Sequence, residues 1–319
     1  MTFSTLKDVI KDAFAGIEKR SDKKKPATGV PAWIVGHGVG IPPSIFFKKK
    51  PATGVPAGFH DIDTLTSGFQ RSDLIVIAGR PSMGKTTFCL NIAAHAAIEK
   101  KLPVAVLSLD LTKEEVVQRM LSSESKVSLN KIKTGSLNDE EWGLLTGAVG
   151  HLYKAPVYVD DAPVRRTDRM DGLMKQLKEI KRDSGIKLVI VDFLQLFAGK
   201  PGENHFVAAE SLKNIAKALD VPVIAVSRLP RFEDGREDCR PALSDLRRCN
   251  MLIERYADVV MFVHRDSMYN PCKCPRKKCS CGKRNAVEVI IERNRNGPTG
   301  SVNLFFNHEI VRLENISDK

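Results

Sequence analysis

The sequence has no apolar run approaching the roughly 18 residues that a transmembrane helix needs. Its first residues, Met1 to Ser4, also lack the hydrophobic block of a signal peptide. From these two absences we predict a protein without membrane contact, located in the cytoplasm. The 319 residues, of which 42% are hydrophobic, are enough to bury a substantial core, so we expect one large domain with extensions.

Acidic residues are too few to balance the basic ones. There are 38 Asp and Glu against 50 Lys and Arg, which gives a formal net charge of +12. The basic excess is concentrated at Lys23–Lys25, at Lys48–Lys50 and between Lys273 and Arg284. Such patches favour a polyanionic partner such as nucleic acid. The alternative is that they are solubilising surface charge and basic linkers.

The sequence also lacks the cysteine framework of a disulfide-stabilised fold, since seven cysteines in a chain of this size do not form one. Four of them follow the spacing C-x-C-x₄-C-x-C in a basic loop at 271–284, namely Cys272, Cys274, Cys279 and Cys281. Four close thiolates could bind Zn²⁺ tetrahedrally, although this is not the usual C-x₂-C spacing. The alternatives are an unliganded basic loop and a redox role.

One motif organises the rest of the chain, a G-x-x-x-x-G-K-T run at residues 79–86 between an apolar stretch and a helical one. This pattern predicts a strand, a phosphate loop and a helix, because glycines let backbone N–H groups converge on an anion. Lys85 is expected to meet the β- and γ-phosphates, and Thr86 to hold Mg²⁺. The alternative is a Gly-rich turn of no chemical consequence. The predicted nucleotide-binding residues are Gly79, Arg80, Pro81, Ser82, Met83, Gly84, Lys85, Thr86 and Thr87.

Apolar strands alternate with helices from residue 58 onward. This alternation predicts an α/β fold with a mostly parallel central sheet, helices on both faces and ligands at the carboxyl ends of the strands. Asp110 and Asp192 end two of these strands, so we expect both near the phosphate loop. Asp192 would bind Mg²⁺, and Asp110 would orient or deprotonate the attacking water. Strand-terminal acids that are only helix caps are the alternative.

Two segments precede this main domain, which we place at 58–319. Residues 21–57 form a linker rich in Pro, Gly and Lys, in which the decapeptide at 23–32 recurs at 48–57. Two copies are too few for a solenoid, so we interpret the repeat as a local duplication. Residues 1–20 predict an amphipathic helix that docks on another subunit or packs back on its own domain. Its apolar positions are Leu6, Val9, Ile10, Ala13, Phe14 and Ile17.

Motifs spread over residues 53–307 resemble those of the bacterial DnaB-type replicative DNA helicases, specifically their RecA-like carboxy-terminal motor domain. Besides the phosphate loop, they are T-G-V-P-A-G-F at 53–59, L-T-S-G-F-Q-R-S-D-L at 65–74, Q-R-M-L at 118–121, D-F-L-Q-L at 192–196, R-P at 240–241, S-D-L-R at 244–247 and R-N-G-P-T-G at 295–300. The helix at 1–20 is similar to the linker helix of that family, which docks on the neighbouring subunit. The amino-terminal helical domain of the family is absent from this sequence.

The resemblance implies a RecA-like P-loop NTPase that uses ATP and Mg²⁺. It also implies single-stranded DNA as ligand, a homo-hexamer with nucleotide sites at its subunit interfaces, and a primase or loader as a further partner. Lys85 and Thr86 match the phosphate- and magnesium-binding pair. Asp192 matches the second magnesium acid, Asp110 the catalytic carboxylate and Arg119 an arginine near the nucleotide base.

The resemblance further implies that Arg295 is an arginine finger given to the γ-phosphate of the next subunit, with Arg293 as its basic neighbour. Without the resemblance, both arginines would be interpreted as surface charges at a strand end. Arg247 matches a residue that contacts the backbone of single-stranded DNA, and Arg248 and Asn250 follow it in the same segment. Such contacts predict binding that is sensitive to salt and tolerant of sequence.

Three features depart from the family pattern. The family has glutamate where this chain has Asp110 and glutamine, as γ-phosphate sensor, where it has Arg228; the DNA segment differs at 248–251. We therefore expect a ring-forming helicase motor, with a nucleotide- and DNA-binding scaffold of weak or no unwinding activity as the alternative. A recombinase or clock-type ATPase with the same core is a third interpretation, against which the segment at 295–298 argues.

Overall fold

The computed structural model describes residues 3–20, 53–161, 169–192, 206–230, 239–249, 251–271 and 283–316. The four clustered cysteines, Asn250, the side chain of Arg248 and the linker up to residue 52 lie outside this description, so the zinc hypothesis stays a prediction. Within these ranges, no helix is both long and apolar enough to cross a membrane. The same ranges contain no group of three or more His, Cys, Asp and Glu side chains placed to hold a metal ion.

The strands of the described residues form one sheet with the order β1-β4-β3-β5-β6-β2-β7-β8-β9-β10. The six strands from β4 to β7 in this order are parallel, β1 pairs antiparallel with β4, and β8 to β10 continue antiparallel beyond β7. The predicted α/β class with a mostly parallel central sheet is confirmed. The strands are β1 Ser4–Thr5, β2 Leu74–Gly79, β3 Val104–Ser108, β4 Val157–Asp160, β5 Leu188–Asp192, β6 Val223–Arg228, β7 Val259–His264, β8 Ala286–Asn294, β9 Gly300–Asn307 and β10 Arg312–Asn315.

Helices cover both faces of the sheet. Strands β2, β3, β5 and β7 are buried at every residue, as expected for parallel strands covered on both sides. Successive side chains of β2 enter different cores, Ile75 and Ile77 one of them, Leu74 and Val76 the other. The helices are α1 Leu6–Arg20, α2 His60–Thr66, α3 Lys85–Ala94, α4 Lys113–Ser125, α5 Leu129–Thr134, α6 Asp139–Lys154, α7 Arg169–Ser184, α8 Phe206–Leu219, α9 Leu243–Cys249 and α10 Met251–Tyr256.

The start of α4 follows from its local sequence. Thr112 Oγ1 accepts from the backbone N–H of Glu115, and the Glu115 carboxylate accepts from the N–H of Thr112, both at 3.2 Å. The two residues thus form a capping box, which a Thr-x-x-Glu spacing favours at the start of a helix. A short π-helix, His95–Glu99, continues α3 before the chain enters β3.

Helix α1 packs against the domain of its own chain. Its buried residues include Leu6, Ile10 and Ile17, and the rings of Phe14 and Trp142 of α6 meet edge to face with centroids 5.8 Å apart. Preceding it, β1 pairs with β4 and forms the outermost strand of the sheet on that side. Of the two sequence-based alternatives for this helix, the single chain adopts the packing on its own domain.

Candidate nucleotide-binding site

The phosphate loop joins β2, which lies between β6 and β7, to α3. Gly79 has no room for a side chain, because an added Cβ would lie 2.7 Å from the carbonyl oxygen of Val263. Gly84, the residue before α3, has a φ of +98°, a left-handed conformation that favours glycine. The two glycines therefore let the loop curl closely against β7 and present its backbone at the amino terminus of α3.

Lys85 is folded into the loop. It is buried, and its Nζ donates to the carbonyl oxygen of Arg80 at 2.7 Å. Burial lowers the pKa of Lys85 to about 8, while the nearby Asp192 carboxylate acts in the opposite direction. A phosphate group in the loop would give this ammonium a charged acceptor in place of a carbonyl oxygen.

Asp192 ends β5 beside the loop and is 5% exposed. Its Oδ2 is buried and has no hydrogen-bond partner among the described residues. Burial raises the pKa of Asp192, and a hydrogen bond with the Thr86 side chain opposes that rise. A buried carboxylate oxygen with unused bonding capacity, next to a threonine hydroxyl, suits a hard divalent cation such as Mg²⁺.

Two of the three departures from the family pattern, Asp110 and Arg228, lie together at this site. Asp110 follows the end of β3 and Arg228 is the last residue of β6, so both lie at the carboxyl edge of the sheet. Arg228 Nη2 lies 3.9 Å from Asp110 Oδ2, with about half of each side chain exposed. The aspartate and the arginine thus form a loose ion pair, which the sequence motifs did not predict.

Two further arginines of the predicted nucleotide set have their own surroundings. Arg119 of α4 has a buried Nε without a hydrogen-bond partner in the described part of the chain, and its charge acts to lower the pKa of Asp192. The buried Arg80 side chain instead turns from the loop towards α9. Its Nη1 donates to the carbonyl oxygen of Cys239 at 2.7 Å, and its Nη2 lies 3.5 Å from Asp245 Oδ2.

Sequence reasoning missed Arg265, a buried residue directly after β7. Its Nη1 donates to the carbonyl oxygen of Ser82 in the phosphate loop at 3.4 Å, and its Nη2 lies 2.8 Å from His308 Nε2. Burial and the Arg265 charge lower the pKa of His308, so a neutral ring can accept this bond. The rule that functional side chains follow apolar strands, applied to β7, would have found Arg265.

Arg295 and Arg293 lie at the opposite edge of the sheet from the phosphate loop. Arg295 Nη1 is 3.0 Å from Asp258 Oδ1, and Asp258 donates its backbone N–H to the carbonyl oxygen of Leu74, where β2 begins. Arg293 donates to the carbonyl oxygen of Glu254. Because β2 runs for six residues, about 16 Å at 3.3 Å per residue, from Leu74 to Gly79, Arg295 is remote from the loop of its own chain.

The predicted DNA-contacting residues Arg247 and Arg248 lie in α9. The Arg247 guanidinium is more than half exposed and pairs with both carboxylate oxygens of Glu254 in α10. Arg247 and Arg248 lie near the end of α9. Asn250, the third predicted DNA contact, lies outside the described residues.

The buried Asp73 directly precedes β2, at the edge of the sheet where the parallel strands begin (the amino edge). Asp258, Lys213 and Arg295 are the charged groups near it. Burial, reinforced by the Asp258 charge, raises the pKa of Asp73 to about 6 from 3.8. Between these two pH values the folded chain holds a proton that the unfolded chain has released, so stability falls as pH rises and the full penalty applies above pH 6.

Asp73→Asn should therefore stabilise the protein at pH 7.5 by about 1–3 kcal/mol, because an amide avoids the cost of burying a charge. The gain should shrink towards pH 5, as measured by denaturant unfolding at both pH values. Asp183→Asn removes the same charge from a side chain that is 61% exposed and serves as the control. A gain of equal size at both pH values would contradict this origin.

Comparison with known proteins connects this geometry to a family. A family model described as the DnaB-like helicase C terminal domain matches residues 54–315. The replicative DNA helicase DnaB of Geobacillus stearothermophilus is 40% identical, with 98% of this chain and 62% of the relative covered. The replicative DNA helicase DnaC of Bacillus subtilis (strain 168) is 39% identical with the same coverage. The chain thus spans 62% of the length of these two relatives.

Solved structures agree with the sequence relatives. The ATPase domain of G40P superimposes with a TM-score of 0.74 at 33% identity, covering 83% of this chain and 92% of that one. A DnaB-like replicative helicase, whose structure was described with its interactions with primase, gives the same TM-score and identity and covers 84% of this chain and 63% of its own. The resemblance and the RecA-like fold predicted from the motifs are confirmed: the chain belongs to the DnaB-like helicase C-terminal domain family.

Proposed function

We propose that the protein is the ATP-hydrolysing motor of a replicative DNA helicase, which moves along single-stranded DNA as a homo-hexameric ring and unwinds duplex DNA in the cytoplasm. The observation that carries the proposal is the distribution of charged groups over the sheet. The phosphate loop, Asp110 and Asp192 share the carboxyl edge, whereas Arg295 lies at the amino edge about 16 Å away. The family membership of the chain supports the same activity.

In this proposal each group at the carboxyl edge has one task. The loop backbone and Lys85 bind the phosphates of ATP, and Thr86 with Asp192 would hold Mg²⁺. When bound, Mg²⁺ would neutralise charge on the β- and γ-phosphates. Asp110 orients the water that attacks the γ-phosphorus and accepts its proton, so that ADP and phosphate are released.

Arg295 is proposed to complete the site of a neighbouring subunit. An arginine beside the γ-phosphate stabilises the charge of the transferring phosphoryl group. Arg295 lies at the edge of the sheet remote from the phosphate loop of its own chain. Only assembly can therefore bring it close to a phosphate loop, that of a neighbouring subunit. Hydrolysis should therefore depend on ring formation, with Arg293 as the adjacent basic group.

The DNA ligand is proposed to lie along α9 and the segment after it. The Arg247 guanidinium is exposed, and Arg80 of the phosphate loop reaches Asp245 in the same helix. Helix α9 would thus contact both the phosphate loop, through Asp245, and the DNA, through Arg247. Contacts of this kind follow the phosphate backbone without reading bases. A primase or a loader would be a further partner of the ring.

The test is ATP hydrolysis with and without single-stranded DNA over a range of protein concentrations, followed by strand displacement from a forked duplex. We expect turnover per subunit to rise with concentration and with DNA, and we expect the fork to be unwound only with ATP. Turnover per subunit that changes neither with DNA nor with protein concentration would overturn the proposal of an assembled motor.

The Asp110–Arg228 ion pair favours a second candidate, a nucleotide- and DNA-binding assembly that unwinds weakly. The short carboxylate pairs with a cation 3.9 Å away, which competes with water for its oxygens. In this candidate the chain binds ATP and DNA but serves as a scaffold or regulator of another helicase.

The double substitution Asp110→Glu with Arg228→Gln separates these candidates. If the ion pair restrains hydrolysis, turnover should rise about tenfold, since a longer carboxylate with no cation beside it can reach and hold the attacking water. Turnover is measured under saturating ATP and DNA, with Glu99→Gln, distant from the loop on the π-helix, as the control for a carboxylate change. Unchanged or lower turnover would remove the argument for the weak assembly.

A further inference from the structure

We propose that Asp258 is a positioning residue for Arg295. Its carboxylate fixes the position of the guanidinium that each subunit presents to its neighbour. This inference rests on the proposed function, because it assumes that Arg295 acts in trans. Asp258 lies between α10 and β7 and is 2% exposed. It belongs to none of the motifs by which the family is recognised in the sequence.

Both oxygens of the Asp258 carboxylate are engaged. Oδ2 accepts from the backbone N–H of Leu74 at 2.8 Å and from Nζ of Lys213, a residue of α8. Oδ1 lies 3.0 Å from Nη1 of Arg295. One buried carboxylate therefore connects the start of the phosphate-loop strand, a helix and the predicted finger.

The backbone reinforces this connection. Arg295 donates its N–H to the carbonyl oxygen of Asp258 at 2.9 Å, and Asp258 donates its own to the carbonyl oxygen of Leu74 at 2.9 Å. Lys213 is held on its other side by the carbonyl oxygen of Ser72 at 2.8 Å. The backbone and the guanidinium of Arg295 are thus both bound to Asp258, which is itself bound to the start of β2.

The anchored arginine still faces outward, since half of its side chain is exposed. An unrestrained arginine loses side-chain entropy when it is fixed in one rotamer, and anchoring removes part of that cost before the neighbour arrives. Because the Arg295 end of this ion pair is half exposed, this contact contributes little to folding. The effect of the Asp258 contact should consequently appear in turnover rather than in the affinity of the chain's own site.

The first measurement is the turnover of Asp258→Asn as an assembled protein. We expect kcat to fall about tenfold, the size typical for loss of a supporting residue behind a functional group, with KM for ATP unchanged. Asp220→Asn is the control, since it removes a carboxylate at the same end of the strands whose partners are Ser72 and Arg71, and it should leave kcat unchanged.

The second measurement mixes subunits. Lys85→Ala subunits have a disabled phosphate loop and an intact Arg295, so they can supply a well-positioned finger. Adding them should raise turnover per Asp258→Asn subunit, because the active site of that subunit is undamaged. Arg295→Ala subunits mixed in the same way should be rescued too, which tests the action in trans by itself.

The outcomes separate the two levels of the proposal. If Arg295→Ala is rescued but Asp258→Asn keeps full turnover, or is slow and not rescued, the role of Asp258 is overturned while the proposed function stands. If Arg295→Ala is not rescued, action in trans fails and the inference falls with it. Should Asp258→Asn not assemble, Asp258→Asn with Lys213→Met removes both charges of the buried pair and must give the same pattern of slow turnover and rescue.

Discussion

Arg295→Ala is expected to lower ATP turnover by roughly a thousandfold in the presence of single-stranded DNA, the lower end of the range for arginine fingers. The physical reason is that the guanidinium stabilises negative charge that develops only during phosphoryl transfer. Affinity for ATP should change little, because most phosphate contacts come from the loop of the other subunit. Turnover and the binding of a fluorescent ATP analogue are the two measurements.

Arg71→Ala is the matched control for Arg295. Arg71 also carries its charge near the amino edge, where its side chain is 73% exposed and lies 3.5 Å from Asp220. Its loss should leave turnover within about twofold of the unmodified protein, because an exposed ion pair contributes little. If both substitutions reduced turnover equally, general damage to this edge of the sheet would explain the loss, and the role of Arg295 would be refuted.

Lys85→Ala should abolish both nucleotide binding and unwinding, with turnover reduced by roughly 100- to 1000-fold. Lys85 is a charged residue of the loop, and its Nζ donates within the loop to the carbonyl oxygen of Arg80. Without it, the loop would lose the cation that it directs at the developing charge on the β- and γ-phosphates. ATP binding, hydrolysis and strand displacement are measured on the same preparation.

Folding should not account for this loss. Burial lowers the pKa of Lys85, which means that the fold holds its charge at a cost. The alanine variant should therefore unfold no more easily than the unmodified protein. Lys131→Ala, a change at an exposed lysine that pairs with Glu141, is the control. Retained ATP hydrolysis by Lys85→Ala would contradict the assignment of the phosphate loop.

The two substitutions probe different ends of one strand. Lys85 follows the carboxyl end of β2, and Arg295 is attached through Asp258 to its amino end. In the proposed ring, a subunit would bind nucleotide where its parallel strands end and act on a neighbour from where they begin. The Asp258 contact would give this exchange between subunits a fixed geometry.

The sequence alone located the phosphate loop, the strands beside it and the acidic residue Asp192, because each depends on a short stretch of chain. A glycine-rich turn between an apolar run and a helix has few other conformations, and a fully apolar run of five residues becomes a buried strand. The capping box at Thr112 follows from a spacing of three residues. Motif resemblance then identified the family.

Tertiary structure decided which of these groups meet. The order of the strands, with β2 inserted between β6 and β7, is set by packing between distant segments and cannot be read from local spacing. That order brings Arg228 to Asp110, turns Arg80 towards Asp245 and places Arg265 against the phosphate loop. It also buries Asp258 beside Leu74 and Arg295, 184 and 37 residues distant in sequence, because a charged group in the interior must collect its partners from wherever the fold provides them.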